Sequence, residues 1–174
     1  FIASLTGAKA KNNISVDYTE ESELVSVIAH LAKVPGYIWP EEQAGVIDYF
    51  HQVDSTFAPY ANHPIMAFVT DSLVNQGFGY HVPVAMALRL KLKNGKLHYN
   101  TDLEPDFNHY YRGITPQHEK KLIALLEDFY QKAHFHSFFK KNLPLYNACK
   151  QAMQQQLVNK IDMDWYKSFF GPIN

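Results

Sequence analysis

The sequence contains a single cysteine, Cys149, among its 174 residues, so no disulfide can form within the chain. No apolar run approaches the roughly 18 residues that a membrane-spanning helix needs, so we expect no transmembrane segment. Gly-rich phosphate loops, the G-x-S-x-G nucleophile motif and paired cysteine motifs are also missing. The sequence therefore gives no support to a disulfide-rich scaffold, a nucleotide-binding loop or a serine-hydrolase site.

An excess of charge of one sign is lacking as well. The 16 Lys and Arg residues nearly balance the 17 Asp and Glu residues, which gives a formal net charge of −1. A dedicated nucleic-acid binder carries a basic face. Lys91, Lys93 and Lys96, with the pair Lys140-Lys141, are too few to change this balance, so we expect no nucleic-acid partner.

What the chain does contain is apolar and aromatic side chains, at 47% and 14% of the residues. This composition and length are typical of one globular domain with a substantial core. The opening residues end in Ala8-Lys9-Ala10, an A-x-A pattern that is found where a secretory signal is cleaved and also in ordinary loops. We therefore divide the chain into an N-terminal tail, residues 1–13, which is a signal-peptide remnant or a loop, and a helical domain, residues 14–174.

The clearest helical period runs from Thr115 to Phe139. Thr115 suits a helix N-cap, and Pro116 suits the first turn that follows it. One apolar stripe with helical spacing then continues through six positions, Leu122, Ile123, Leu126, Phe129, Tyr130 and Ala133. The pattern predicts one long helix through Phe139 that forms the scaffold of the domain.

Capping residues and helix-breaking residues predict further helices around this scaffold. The predicted spans are Thr19 to about Lys33, Pro40 to Ala58, Asn62 to Gly77, a short helix from Pro83, Pro144 to about Lys160, and Asp162 to Gly171. Asn94-Gly95 predicts the turn of a small β-hairpin, and Thr101 to Gly113 is typical of a loop. The predicted fold class is mainly α, a single domain of about six helices with one small β-hairpin.

Nine histidines raise the question of a metal site. His118-Glu119 begins like a zinc-peptidase motif, but that motif needs a second histidine where this chain has Leu122. His134 and His136 would diverge by about 200° on a helix, so they could share a metal only on extended backbone. We therefore predict no catalytic residue and no metal ligand in this chain.

Cys149 lies on an apolar helical face with Leu145, Ala148, Ala152 and Met153. An unpaired cysteine in such surroundings is usually a small buried apolar side chain. We therefore expect Cys149 to be buried in the core and not to act as a nucleophile.

Two segments interrupt the helical period, Gly77 to His81 and the run Tyr110-Tyr111-Arg112. Aromatic side chains beside Arg favour binding surfaces, and sites often lie on loops that a rigid scaffold holds. We predict that the substrate-binding residues are Tyr80, His81, Tyr111 and Arg112, all bordering one concave surface. The alternative is that these rings pin the loops onto the helices and belong to the core.

A longer series of residues carries a family resemblance. It consists of Ile14-Ser15-Val16-Asp17, Glu23-Leu24, Leu31-Ala32, Tyr49-Phe50, His63-Pro64, Gly77 with Tyr80, Leu126, Asp128-Phe129-Tyr130, Phe138-Phe139, Leu145-Tyr146, Trp165-Tyr166 and Phe169-Phe170-Gly171. In order and spacing this series, over about residues 14 to 171, resembles a bacterial, mostly Bacteroidetes, family of exported proteins of unknown function. Full-length members of that family resemble zinc metallopeptidases. The chain departs from the family at His81, where an acidic residue usually follows the tyrosine.

The resemblance implies an exported protein, periplasmic or extracellular. The family's HExxH zinc motif lies beyond the end of this chain, and Gly171-Pro172 marks about the point where the family continues into its second half. The chain would then be the helical N-terminal scaffold of a zinc metallopeptidase, inactive alone, with no cofactor of its own. Its partners would be the C-terminal peptidase half, which holds the zinc, and a peptide or protein substrate. The alternative is a non-catalytic helical binding module for peptide or glycan.

Overall fold

The computed structural model describes residues 15–38, 47–99 and 113–171. The helices in these ranges are α1 (Glu20–Leu31), α2 (Ile47–Phe57), α3 (Pro64–Phe68), α4 (Val82–Leu88), α5 (Pro116–Lys132), α6 (Phe135–Gln156) and α7 (Met163–Phe170). Two strands, β1 (Leu90–Lys93) and β2 (Lys96–Tyr99), form an antiparallel hairpin. This architecture confirms the predicted mainly α fold with one small hairpin. The predicted tail, the predicted helix start at Pro40 and the predicted loop at residues 101–112 lie outside the described residues.

Capping residues set the start of α1 as predicted. The Thr19 hydroxyl accepts a hydrogen bond from the Ser22 backbone N–H, and the Ser22 hydroxyl lies 3.3 Å from the Thr19 backbone nitrogen, which completes a capping box. The helix ends at Leu31, two residues before Lys33, near which the end was predicted, and Lys33 adopts a left-handed conformation with φ 53°. Asp162 caps α7 as predicted, since its carboxylate accepts from two backbone N–H groups of the first turn.

The segment predicted as one helix from Asn62 to Gly77 changes its hydrogen-bonding pattern twice. After α3 comes a π-helical turn, Val69–Leu73, and then a 3₁₀ turn that ends at Gly77 with φ 91°. The Thr70 hydroxyl donates to the carbonyl of Met66 at 3.1 Å and so competes with the backbone ladder. The predicted start and stop are confirmed, whereas the widened middle was not predicted.

The long helix predicted from Thr115 to Phe139 is in fact two helices. His134 has a left-handed conformation, φ 50°, and lies between the end of α5 at Lys132 and the start of α6 at Phe135. Histidine tolerates this conformation better than most residues do. The turn redirects the chain so that the ring of Phe135 is fully buried.

The helix predicted to begin at Pro144 is likewise wrong, because Pro144 lies inside α6. Proline lacks an N–H, so α6 loses one backbone hydrogen bond toward the preceding turn. The helix nevertheless continues to Gln156.

The chain forms two compact units. The large unit, residues 19–141, has a core of aromatic rings from α2, α5 and α6. The Phe57 ring lies 5.5 Å from Phe129, 5.9 Å from Phe135 and 4.9 Å from Phe138. Burying each large apolar side chain stabilises the fold by about 1.5–3 kcal/mol, so this ring cluster contributes substantially to the stability of the large unit.

The hairpin of the large unit has an apolar inner face and a polar outer face. Leu90 pairs with Tyr99 and Leu92 with Leu97, and Leu90 and Leu97 are buried. Asn94 and Gly95 both have positive φ, as the predicted two-residue turn requires.

Carboxylates of two helices lie at the edges of the hairpin. The Leu97 N–H donates to Glu127 of α5 at 2.7 Å, and the Leu92 backbone lies beside the Glu21 carboxyl of α1. Burial raises the pKa of the Glu21 carboxyl above its usual range. The hairpin is thus held from both sides by α1 and α5.

The small unit joins residues 15–18 to residues 142–171. The Tyr18 ring lies 5.5 Å from the Tyr146 ring, and its hydroxyl donates to the Asn147 side chain at 2.9 Å. The Lys150 ammonium lies 3.0 Å from Asp17 and holds the pKa of that carboxyl below its usual range. Across the residues described in both units, no helix has the length and apolar character to cross a membrane.

Candidate functional site

The first predicted binding segment is exposed and held by a turn. Tyr80 has φ 51° and is 72% exposed, and His81 beside it is exposed too. The Tyr80 N–H donates to the Pro35 carbonyl at 2.7 Å. A Cβ added to Gly36 would lie 3.0 Å from the Tyr80 Cα, so only glycine allows this close approach. The backbone that carries Tyr80 and His81 is therefore supported from the end of α1.

The second predicted segment is not covered by the structure. Tyr111 and Arg112 lie outside the described residues. That Tyr80, His81, Tyr111 and Arg112 border one concave surface therefore remains a prediction.

His118 lies in the first turn of α5, as predicted. Its Nδ1 lies 3.3 Å from the Thr115 backbone nitrogen, and the Thr115 hydroxyl accepts from the His118 N–H at 3.2 Å. Leu122, which stands where a zinc motif would need its second histidine, is buried. Within residues 15–38, 47–99 and 113–171, no group of three or more His, Cys, Asp or Glu side chains could hold a metal ion.

His63 is buried and connects α3 to α5. Its Nδ1 accepts from the Ile65 N–H at 3.3 Å at the start of α3, and its Nε2 lies 3.0 Å from the Asp128 carboxylate. A neutral ring with the proton on Nε2 satisfies both contacts. Lys132, 2.8 Å from the same carboxylate oxygen, holds the pKa of Asp128 below its usual range, and the His63 hydrogen bond adds to this effect. This cluster has the geometry of a structural clamp.

His30 connects α1 to α2. Its Nδ1 lies 3.1 Å from the Tyr37 carbonyl oxygen, and its Nε2 lies 3.0 Å from the Asp54 carboxylate. The imidazole also stacks on Phe50 at 4.3 Å between ring centroids. These contacts make His30 a packed residue between α1 and α2.

A third cluster joins α1, α5 and α6. The Glu20 carboxylate accepts from the Tyr130 hydroxyl at 3.0 Å and contacts the His136 Nδ1 at 2.9 Å. Burial and the nearby Glu20 raise the pKa of the Tyr130 hydroxyl above its usual range. For this region the sequence predicted only a helix from Thr19 to about Lys33, because no local signal connects residues that lie more than a hundred positions apart.

Cys149 is exposed, so the prediction that it is buried is wrong. Leu145 and Met153 on the same face are 41% and 49% exposed. In this stretch α6 buries Tyr146, which follows Leu145 and therefore points about 100° away around the helix. The apolar face exists as predicted, but α6 packs through a different face.

The exposed rings of α7 form an aromatic patch that we define as Trp165, Phe169 and Phe170. These side chains are 53%, 70% and 69% exposed. Trp165 stacks on Phe169 at 5.4 Å, and Phe169 meets Phe170 edge-on at 4.8 Å. Contiguous exposed apolar surface marks interaction sites. The sequence placed these rings on the last helix, and the i, i+4 spacing of Trp165 and Phe169 was the signal that they share one face.

An open groove of about 460 Å³ lies beside the hairpin. It is lined by Leu97 and His98 from β2 and by Pro116, Lys120 and Ile123 from α5. The groove combines apolar and basic side chains. No sequence pattern predicted it, because β2 and the start of α5 meet only in the folded chain.

Comparison of the chain with protein-family models, with curated proteins and with solved structures gave no significant match. The resemblance to the exported Bacteroidetes family stays a prediction.

Proposed function

We propose that this chain is a non-catalytic helical scaffold that binds a protein partner through the aromatic patch of α7. The observation that carries the proposal is the exposure of Trp165, Phe169 and Phe170, each more than half exposed. An aromatic side chain of this size can bury about 150–250 Å² at an interface, and tryptophan is enriched among residues that dominate binding energy. Covering these rings therefore provides a substantial driving force for association.

The partner that we propose is the zinc-peptidase half implied by the family resemblance. In the family, that half follows about where Gly171-Pro172 stands in this chain, directly after α7. Two histidines and a third ligand in that half would hold zinc, and a glutamate would activate the bound water. The chain would contribute rigid support, and the whole protein would act outside the cytoplasm.

In that assembly we propose that Tyr80, His81, Tyr111 and Arg112 border the substrate cleft. The support for this is the exposure of Tyr80 and His81 on a backbone that the Pro35 carbonyl holds. A peptide or protein substrate would then contact aromatic and basic side chains of the scaffold, while the chemistry stays in the partner half.

The first experiment measures zinc and peptidase activity in the purified chain. We expect elemental mass spectrometry to find no stoichiometric zinc in the purified chain, and we expect the chain not to cleave casein. Tight one-to-one zinc, or zinc-dependent cleavage, would overturn the proposal that this chain is non-catalytic.

The second experiment compares the chain with a form that includes the proposed peptidase half. In both, every tryptophan other than Trp165 is replaced by Phe (Trp39→Phe in this chain), so that Trp165 is the only tryptophan. We expect the emission to shift to the blue, and iodide quenching to fall, when the peptidase half is present. Identical emission and quenching in the two proteins would show that the aromatic patch stays in water, which contradicts the proposed docking.

The second candidate function is a binding module for peptide or glycan, which the open groove beside the hairpin favours. The length of the encoded protein separates the two candidates. An open reading frame that ends near Asn174 leaves no peptidase half, and the binding module then becomes the better proposal.

A further inference from the structure

We propose that the outer face of the hairpin binds an acidic peptide segment. The strand register places Lys91 opposite His98 and Lys93 opposite Lys96, so these four side chains share one face. Lys93, Lys96 and His98 are exposed. We call these four residues the basic face. It concentrates three lysines on two short strands of a protein whose net charge is −1.

The basic face works against the stability of the hairpin. Like charges directly opposite each other on neighbouring strands are destabilising, and Lys93 faces Lys96 in this way. Among the described residues neither of these two lysines forms an ion pair, whereas Lys132 and Lys150 lie within 3.0 Å of a carboxylate. Two lysines that repel each other and form no ion pair with a described residue are suited to an anionic ligand.

Lysines on strands also discourage edge-to-edge aggregation. Here the edge N–H of Leu97 is already bonded to Glu127, and the Leu92 backbone lies beside the Glu21 carboxyl. The lysines of the basic face are therefore not needed to protect the strand edges from pairing with another chain.

The groove beside the basic face indicates which anionic ligand fits. His98 belongs to both, and Lys120 adds a further cation in the groove, where it forms no ion pair with any described residue. Pro116 and Ile123 contribute apolar surface. A peptide that carries both carboxylates and apolar side chains would use the lysines and the groove together, whereas a uniformly anionic polymer would leave the apolar surface in water. This site is separate from the aromatic patch and does not depend on the proposed scaffold role.

The test uses a fluorescein-labelled peptide of alternating glutamate and leucine, followed by fluorescence anisotropy on the full chain. We expect saturable binding that weakens as salt is added, because exposed charges are screened. The Lys93→Gln, Lys96→Gln double variant should bind about tenfold more weakly, since exposed charge pairs at an interface contribute about 1 kcal/mol or less each. The matched control, Lys140→Gln with Lys141→Gln, removes the same charge from α6 and should leave affinity unchanged within about twofold.

Several outcomes would overturn the proposal. Equal binding of a glutamine–leucine peptide would show that charge is not recognised. Absence of binding of the glutamate–leucine peptide would show that the basic face is not a peptide site. Tighter binding of heparin or of phosphatidylserine vesicles, with release of the peptide, would assign the basic face to a glycan or a membrane surface.

A purely structural role for the lysines is tested by thermal unfolding. The double variant should unfold at the same temperature as the unmodified chain or higher, because its like-charge contact is gone. Lys96→Glu places opposite charges across the hairpin, so it should raise the unfolding temperature while abolishing peptide binding. A variant that loses stability and binding together would contradict the proposal.

Discussion

Helix α5 and the second half of α6 carry similar apolar faces with different outcomes. On α5, Leu122 and Leu126 are almost completely buried. On α6, Leu145 and Met153 have the same kind of side chain at helical spacing, yet both are more than 40% exposed. The hydrophobic pattern thus identifies the apolar side of a helix but does not say whether another element covers it.

What covers α5 comes from distant parts of the chain. Phe129 of α5 meets Phe57 of α2 at 5.5 Å and the His63 ring at the start of α3 at 5.4 Å. These contacts join residues more than sixty positions apart, so no local sequence window contains both partners. The comparison between α5 and α6 can be tested directly by substitution.

The largest effect is expected at Leu126, which is 0% exposed. Leu126→Ala should destabilise the fold by about 3 kcal/mol, because it removes buried methyl groups and leaves a cavity. The matched control is Leu145→Ala on α6, which should change stability by less than about 0.5 kcal/mol. Urea unfolding followed by circular dichroism measures both, and equal losses would break the distinction between the two faces.

A smaller loss is expected at His63, the buried histidine beside α5. His63→Ala should cost about 2 kcal/mol, because the start of α3 loses its side-chain acceptor and the ring leaves its contact with Phe129. His51 is exposed and serves as control, so His51→Ala should be nearly neutral. If the two substitutions cost the same, the buried clamp is not a stabilising feature.

The pH dependence of stability should differ in sign between the two units. Burial raises the pKa of Glu21 in the folded large unit. The stability that this carboxyl contributes is therefore fully present below its ordinary pKa and is lost as pH rises through the raised pKa. Lys150 lowers the pKa of Asp17 in the folded small unit. The stability that this carboxyl contributes is therefore present above its ordinary pKa and is lost as pH falls through the lowered pKa.

Two variants check these signs. The free energy of unfolding of Glu21→Gln minus that of the unmodified chain should be more positive at neutral pH than at about pH 3. For Asp17→Asn the same difference should be more negative at neutral pH than at about pH 3. Urea titrations at the two pH values measure the differences, which should be small for partly exposed groups. If the two variants changed their relative stability in the same direction between the two pH values, burial would not be the dominant effect at Glu21 and pairing with Lys150 would not be the dominant effect at Asp17.

The smallest effect on stability is expected at Cys149. Cys149→Ser should leave the unfolding midpoint unchanged, because the side chain is exposed. In the native protein this thiol should react with Ellman's reagent as fast as it does in urea. Reaction only after unfolding would show that the apolar face of α6 is covered.

Local signals predicted much of the fold. Thr19, Thr115 and Asp162 cap helices, and Asn94-Gly95 forms the hairpin turn. In each case the side chain bonds within its own turn, or the backbone preference belongs to the residue itself, so a short window contains the whole cause.

The errors arose where distant contacts decide the local conformation. His134 breaks the long helix because the turn buries Phe135 against rings from other helices, and Cys149 is exposed because α6 buries Tyr146 instead. The candidate binding features were missed for the same reason. The groove needs β2 beside α5, and the basic face needs the strand register as well as the lysines.

The carboxylates at the hairpin edges also bear on the order in which the chain folds. A two-stranded hairpin alone is marginally stable in water. Its edge N–H at Leu97 is bonded to Glu127 of α5, and its Leu92 backbone lies beside the Glu21 carboxyl of α1. The hairpin therefore gains its full set of contacts only after both helices have assembled. Substitutions on the hairpin should accordingly speed unfolding and leave the refolding rate almost unchanged, which stopped-flow kinetics would show.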